Sequence, residues 1–154
     1  MSPNIISFDH KYAKDFHDLN IEWLETYFYV EPYDKEVLSK PDKYIINKGG
    51  QIFFLLEKDA VLATAALMPT EDPTVLELTK MAVTPRARGE KFGQRLLQYC
   101  IDFAKSKDYA ALMLYSNTIL ENAIHLYRKY GFKELELEKD NPYERANIKM
   151  LRKL

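Results

Sequence analysis

Tyr12, Phe16, Leu19, Trp23 and Tyr27 recur at intervals of three or four, with polar and charged residues between them. This is the α-helical period, and it predicts an amphipathic helix from Lys11 to Phe28. Ahead of it, the short apolar segment Asn4–Phe8 predicts a first strand. Glu31-Pro32-Tyr33 ends the helix. Asp34 suits the N-cap of a short helix through Leu38, which Pro41 stops. Gly49-Gly50 marks a turn. The runs Gln51–Glu57 and Val61–Met68 are strand-like, and the tight Lys58-Asp59-Ala60 link predicts an antiparallel hairpin. Pro69 and Pro73 bracket a loop, and Thr74–Val83 reads as a longer strand with mixed faces.

After Pro85 the period lengthens again. Phe92, Leu96, Leu97, Cys100, Ile101 and Ala104 form one stripe of a helix running from Gly89 to Lys107. Ala110–Tyr115 is a further apolar strand. Thr118 and Glu121 have the capping-box spacing, with Thr118 placed to cap and Glu121 to reach back. The helix that follows carries Ala123, Ile124, Tyr127 and Tyr130 on one side. Gly131 suits its C′ position, with Phe132 as the apolar residue beyond. Two last strands, Lys133–Leu137 and Ala146–Leu151, flank a turn at Asn141-Pro142. The predicted order is β-α-α-β-β-β-α-β-α-β-β, an α/β (α+β) mixed sheet with helices on its faces.

Composition narrows the partners. At 154 residues the chain has the size of one domain, with no repeat, low-complexity tract or linker to divide it. A net charge of −1 argues against a nucleic-acid binder working by bulk electrostatics. Cys100 stands alone, so no internal disulfide is expected. The N-terminal stretch lacks the basic and apolar regions of a signal peptide, and no apolar run approaches the ~18 residues of a membrane span. These features point to the cytoplasm and to no membrane partner. His10, His17 and His125 have no Cys, Asp or His at zinc-ligand spacing, so no metal is expected.

The segment Lys80–Leu96 holds the densest candidate chemistry. It reads as a strand, then a loop with two glycines and several basic residues, then a helix start. The N–H groups of a helix start and the helix dipole both favour an anion. Glycines let a phosphate approach the backbone, successive N–H groups can form a concave nest, and Arg88 can add charge-assisted hydrogen bonds. The spacing matches neither the P-loop nor the dinucleotide fingerprint. On these residues alone, a phosphate cradle and an ordinary basic loop before a core helix stand as equals.

Two motifs break the tie. Val83-x-Pro85-x-x-Arg88-Gly89-x-x-Phe92-Gly93-x-x-Leu96 resembles the pyrophosphate loop of the GNAT superfamily of N-acetyltransferases, written [Q/R]-x-x-G-x-[G/A]. Asn122-Ala123-Ile124-His125-Leu126-Tyr127-Arg128-Lys129-Tyr130-Gly131-Phe132 resembles that superfamily's second motif, A-I-x-L-Y-x-K-x-G-F. They stand in the family order with one strand between them, and the element order agrees over nearly the whole chain. The resemblance implies one domain over residues 1–154. It implies a mostly antiparallel sheet of about six or seven strands, splayed after strand four and flanked by about four helices. It also implies acetyl-CoA as cosubstrate. Homodimers are common in the family, which leaves a homodimer open here.

The same resemblance implies roles for individual residues. Met81, Ala82 and Val83 would hydrogen-bond the pantetheine arm through their backbone. Arg88, Gly89, Glu90, Lys91, Phe92, Gly93 and Gln94 would form the phosphate loop. Lys91 departs from the pattern, standing where the family most often has its middle glycine; a Cβ there calls for an unstrained φ and a shifted loop path. The family's usual pantetheine-binding Asn is Leu120 here, so Asn117 or Asn122 would replace it, with Asn117 favoured of the two; turn or cap chemistry is the competing reading for either. Tyr127 aligns with the tyrosine that protonates the leaving thiolate, although spacing alone makes it a core aromatic. Glu77 corresponds to the glutamate base of histone-acetylating members; a solvated strand residue or an ion pair with Lys80 is the alternative.

Acyl transfer to an amine requires removal of a proton from the ammonium, stabilisation of the oxyanion and protonation of the thiolate. Tyr127 and Glu77 together favour catalysis over a non-catalytic acyl-CoA-binding sensor. The acceptor would meet Trp23, Tyr27, Glu31 and Tyr33, and Tyr143 with Glu144 and Arg145 after the late turn. Core packing is the competing reading for Trp23 and Tyr27. Aromatics and a carboxylate suit a small primary amine, such as an amino acid or polyamine. A protein N-terminus or lysine is the alternative acceptor.

Overall fold

The runs Gln51–Glu57 and Ala60–Pro69 are apolar at nearly every position rather than every second one, so both faces of their strands must be covered. In the computed structural model, which describes residues 3–154, they are. The strands are β1 (Asn4–Ser7), β2 (Gln51–Glu57), β3 (Ala60–Pro69), β4 (Val75–Val83), β5 (Ala111–Ser116), β6 (Lys133–Leu135) and β7 (Ile148–Lys153). They form one sheet in the order β1-β2-β3-β4-β5-β7-β6, and only the β4–β5 pair is parallel. The helices are α1 (Ala13–Tyr27), α2 (Pro32–Ser39), α3 (Pro41–Tyr44), α4 (Phe92–Ser106) and α5 (Glu121–Lys129). This is the mixed, mostly antiparallel sheet expected; the additional helix is the single turn α3.

Phe53, Leu55, Ala65 and Leu67 face one side of the sheet and pack on Leu96, Leu97, Cys100, Ile101 and Ala104 of α4. Ile52, Phe54, Leu56 and Ala66 face the other side, against Phe16 and Leu24 of α1 and Val37 and Leu38 of α2. Each large side chain so buried contributes about 2 kcal/mol. Gly50 sits where these layers meet. A Cβ there would lie 2.7 Å from the Leu67 carbonyl oxygen and 2.8 Å from that of Ile45, so the turn before β2 excludes any larger residue.

Three helix boundaries differ from the sequence expectation. The N-cap of α2 is Glu31, not Asp34: Pro32 occupies the first helical position, and Asp34, at the third, accepts the Glu31 backbone N–H at 3.1 Å. Helix α4 begins at Phe92 rather than Gly89, because Pro85–Ala87 forms a separate 3₁₀ turn. Helix α5 begins at Glu121 with Leu120 as its cap, not Thr118. The Asn117 side chain accepts the Ile119 N–H, and its carbonyl accepts that of Leu120, so an Asx turn delays the helix. At the other end of α5 the expected cap is present. Gly131 adopts φ +92, with Gly131 N–H on Arg128 and Phe132 N–H on Tyr127.

Two irregularities in β4 shape the molecule. Ala66 pairs with Thr79, but Thr64 pairs with Ala82, so β4 carries one extra residue. Lys80 takes the bulge with φ +55. On its other edge, β4 pairs with β5 only from Val75 to Glu77, opposite Ala111–Met113. Beyond that point the two strands diverge. The divergence opens a cleft of about 430 Å³ between the Leu78–Val83 and Leu114–Asn117 segments.

Candidate active site

The cleft is lined by α1 on one side, by the start of α5 on another, and by the parted strands. Because β4 loses its partner after Glu77, the cleft-facing edge at Met81, Ala82 and Val83 is free of ladder bonds to β5. All three residues line the cleft.

At one end lies the loop into α4. No side chain caps this helix, and the N–H groups of Phe92, Gly93 and Gln94 have no carbonyl a turn below them. Gly93 lines the cleft, and a Cβ placed on it would still stand 3.8 Å from Val83. Gly89 has φ +91. Gly89, Glu90, Lys91, Phe92 and Gln94 lie outside the enclosed part of the cleft, and the Phe92 side chain packs on the α4-side core. Arg88 lines the cleft, with its guanidinium turned to α1. It donates Nε–H to the Val83 carbonyl at 3.1 Å and Nη2–H to Glu22, and lies 5.8 Å from the Tyr27 ring centre.

Lys91 corrects the sequence expectation. Its φ is +63, so it adopts the left-handed conformation that glycine would, and the loop keeps that path at a cost in strain. Lys91→Gly is expected to be more stable than Lys91→Ala by about 1 kcal/mol. Urea midpoints would check this, and equal values would mean that residue 91 bears no strain.

Tyr127 lines the opposite wall, and its ring centre is 5.8 Å from that of Phe132. Burial pushes its phenol up to about 12. Asn117 and Asn122 both line the cleft, but they differ in freedom. The Asn117 amide donates to the Arg145 carbonyl at 2.7 Å and accepts from Ile119, so it is committed to holding the loop. Asn122 is exposed on the first turn of α5.

The other end is aromatic and charged. Trp23 and Tyr27 line it from α1, with ring centres 5.3 Å apart. Tyr143 lies beneath, buried, and its hydroxyl gathers three β4 side chains. It donates to Glu77 Oε2 at 3.0 Å, receives Lys80 Nζ at 3.3 Å, and lies 3.1 Å from Thr79 Oγ1. In a regular strand, residues 79 and 80 point to opposite faces. The bulge at Lys80 is what lets both reach one hydroxyl.

Behind this hydroxyl is a buried ion network that the sequence reading missed. Asp34 Oδ1 accepts from Lys80 Nζ at 3.2 Å, and Arg145 reaches Asp34 through Nη1 at 2.6 Å and Nη2 at 3.2 Å. Arg145 Nη1 also donates to Glu31 Oε2 at 2.7 Å, and Glu31 Oε1 accepts the Glu144 N–H at 2.8 Å. Glu31 therefore braces the late loop and, like Tyr33 and Glu77, does not line the cleft. Lys80, Asp34, Tyr143 and Arg145 do. The available signal was a lysine inside the alternating pattern of Leu76–Val83, at a position that should be apolar.

Burial pushes the Glu77 carboxyl above its usual range, against the opposing pull of Lys80 and the Tyr143 hydrogen bond. Burial likewise pushes the Lys80 ammonium down, against Asp34. For Asp34 burial acts upward, but Arg145 and Lys80 outweigh it and hold the carboxyl low. Among the described residues, no group of three potential metal ligands lies together, and no helix is long and apolar enough to cross a membrane.

The profile of the acetyltransferase (GNAT) family matches residues 16–132. A probable N-acetyltransferase 14 from Xenopus tropicalis is 32% identical over 115 residues, covering 75% of this chain and 54% of that protein. The chain thus spans about half the length of the vertebrate relatives it matches. A GNAT-family acetyltransferase from Staphylococcus aureus Mu50 superposes with a TM-score of 0.87 at 20% identity, covering 99% of each chain. The PaiA N-acetyltransferase of Thermoplasma acidophilum, solved in complex with coenzyme A, superposes at 0.79 with 18% identity over both whole chains.

Proposed function

This chain belongs to the acetyltransferase (GNAT) family, and from that premise we propose that residues 1–154 act as one acetyl-CoA-dependent N-acetyltransferase unit for a small primary amine. The observation that carries the reading is the parting of β4 from β5. It opens one cleft with an uncapped helix start at one end and a buried proton-bearing cluster at the other.

Each part of the cleft suits one task. The N–H groups of the loop and of the first turn of α4 would hold the pyrophosphate, aided by the space beside Gly93. The free β4 edge at Met81–Val83 would pair with the pantetheine amides and offer an N–H to the thioester oxygen. Asn122 is the better of the two candidate amides for the pantetheine, since Asn117 is engaged elsewhere. Tyr127 would face the departing sulfur. Glu77 lies behind Tyr143, so it would take the ammonium proton through an intervening water. Trp23 and Tyr27 would cover the acceptor.

An amine-panel assay with thiol detection tests the proposal. Turnover of an amine, together with a rise in melting temperature on adding acetyl-CoA but not acetate, is the expected result. No thermal shift at CoA concentrations well above micromolar would sink the cofactor assignment. A shift without turnover of any amine would make the chain a binding module instead.

Glu77 gives a pH test. A base works only when deprotonated, and this carboxyl titrates above its usual range. Activity should therefore fall, as pH is lowered, at a higher pH than a free carboxylate would give. Glu77→Gln should remove that acidic limb and slow turnover about 100-fold. A limb unchanged in the variant would assign the base to another group.

A further inference from the structure

Resting on the acyl-transfer reading, we infer that the acceptor carries a carboxylate as well as its amine, and that Lys80 and Arg145 receive that carboxylate. The charges in the cleft wall point this way. Asp34 is the one carboxylate among the described lining residues, and it is 0% exposed. Its Oδ1 accepts from Lys80 and from Arg145 Nη2; its Oδ2 accepts from Arg145 Nη1 and from the Glu31 N–H. That fills the acceptor capacity of a carboxylate, so Asp34 has nothing to offer a substrate ammonium. Glu31 and Glu77 stand behind the wall, bound to Arg145 and Tyr143. A polyamine would bring further positive charge into a cleft whose other charged lining groups are Lys80, Arg88 and Arg145. It would find no open anion there.

Donors, by contrast, are in surplus. The Lys80 ammonium has three N–H groups, of which Asp34 and Tyr143 receive two. It is held 4.6 Å from the Tyr143 ring centre and 5.5 Å from that of Tyr33, with the bulge of β4 fixing its stem. Arg145 keeps N–H groups beyond those given to Glu31 and Asp34. A substrate carboxylate would complete both cations, and it would oppose the burial that pushes the Lys80 ammonium down. Lys80 directly precedes Met81, so an amine a few bonds from that carboxylate would lie beside the free β4 edge where the thioester is proposed to bind. Trp23, Tyr27 and Phe28 line the remaining wall and suit an apolar side chain. An amino acid joins these three properties in one small molecule.

The test is a matched series on the wild-type chain with acetyl-CoA: apolar amino acids, their carboxamides, their decarboxylated amines, spermidine, and an unblocked peptide. A charge-assisted hydrogen bond of the usual strength predicts kcat/KM about 10- to 100-fold higher for the free acid than for its carboxamide. Lys80→Met should lower that ratio several-fold while Arg145 sustains the remainder, and Lys80→Arg should keep it near the wild-type value. An unchanged ratio in Lys80→Met would remove Lys80 from the carboxylate site. A carboxamide, decarboxylated amine, peptide or spermidine used as well as the acid overturns the inference and leaves the acetyltransferase reading standing. Failure of every amine, with acetyl-CoA still bound, overturns both.

Discussion

Asp34→Ala is expected to lower the thermal midpoint by roughly 10 °C, the largest loss of stability expected from a substitution in the site. The reason is the charge left behind. Lys80 is 8% exposed and keeps its ammonium in the protein through Asp34 Oδ1, and Arg145 places two nitrogens on the same carboxylate. Removing one partner of a buried ion network strands the other, at a cost of about 3–5 kcal/mol. Because the loss comes from the stranded cation, adding Lys80→Met to Asp34→Ala should recover part of it; additive losses would show that the two residues are not coupled. The pH dependence follows from the lowered carboxyl. The contribution is fully present above the ordinary Asp value of 3.8 and disappears as pH falls through the lower folded value. Urea unfolding from pH 7 to pH 2 would show wild type losing its advantage over Asp34→Ala only at the acid end. A constant difference would remove the ionic explanation.

Tyr127→Phe should leave acetyl-CoA affinity unchanged and reduce kcat about 100-fold. The phenol is held at about 12 by burial. A thiol ionises near 8.5, so complete transfer from this phenol to a thiolate is uphill by about 5 kcal/mol. On the proposed reaction, Tyr127 would therefore hydrogen-bond the sulfur as it becomes anionic, with net protonation completed from solvent. Removing one preorganised donor to developing charge costs about 3 kcal/mol, which is about 100-fold in rate. The phenylalanine keeps the packing on Phe132, so the melting temperature should hold. Single-turnover kinetics with isothermal titration of acetyl-CoA would separate the two effects. Unchanged kcat would return Tyr127 to the core; a parallel loss of affinity would make it a binding residue.

Glu31 and Lys91 show why parts of the site were hard to read. Glu31, beside aromatics and after a helix, has the look of an exposed acceptor-binding carboxylate. Its partner Arg145 lies more than a hundred positions away, and nothing local reveals that the two meet. Lys91 has a Cβ, and local sterics favour φ below zero. The loop nevertheless holds it at φ +63, between Gly89 at φ +91 and the start of α4. Asp34 was legible as a helix-start residue but not as the centre of an ion network. Pro32 suits the first helical position, and this places the cap at Glu31.

The pattern of residues along the chain accounts for the elements other than α3, for their order and for the two motifs that mark the cleft. Those features rest on short-range causes: the 3.6 and 2 periods of apolar residues, glycine and proline at turns, and donors at a helix start. It also carried the splay of the sheet, through family resemblance rather than through any local signal. Which charges are buried together depends on contacts between distant segments. Asp34, Lys80, Tyr143 and Arg145 come from three separate segments, and Lys80 joins the other three because β4 takes one extra residue against β3 at that position. The position of a bulge depends on the register between two strands, which no periodicity along one strand encodes. That one-residue offset puts Thr79 and Lys80 on the same hydroxyl and places a cation in the cleft wall.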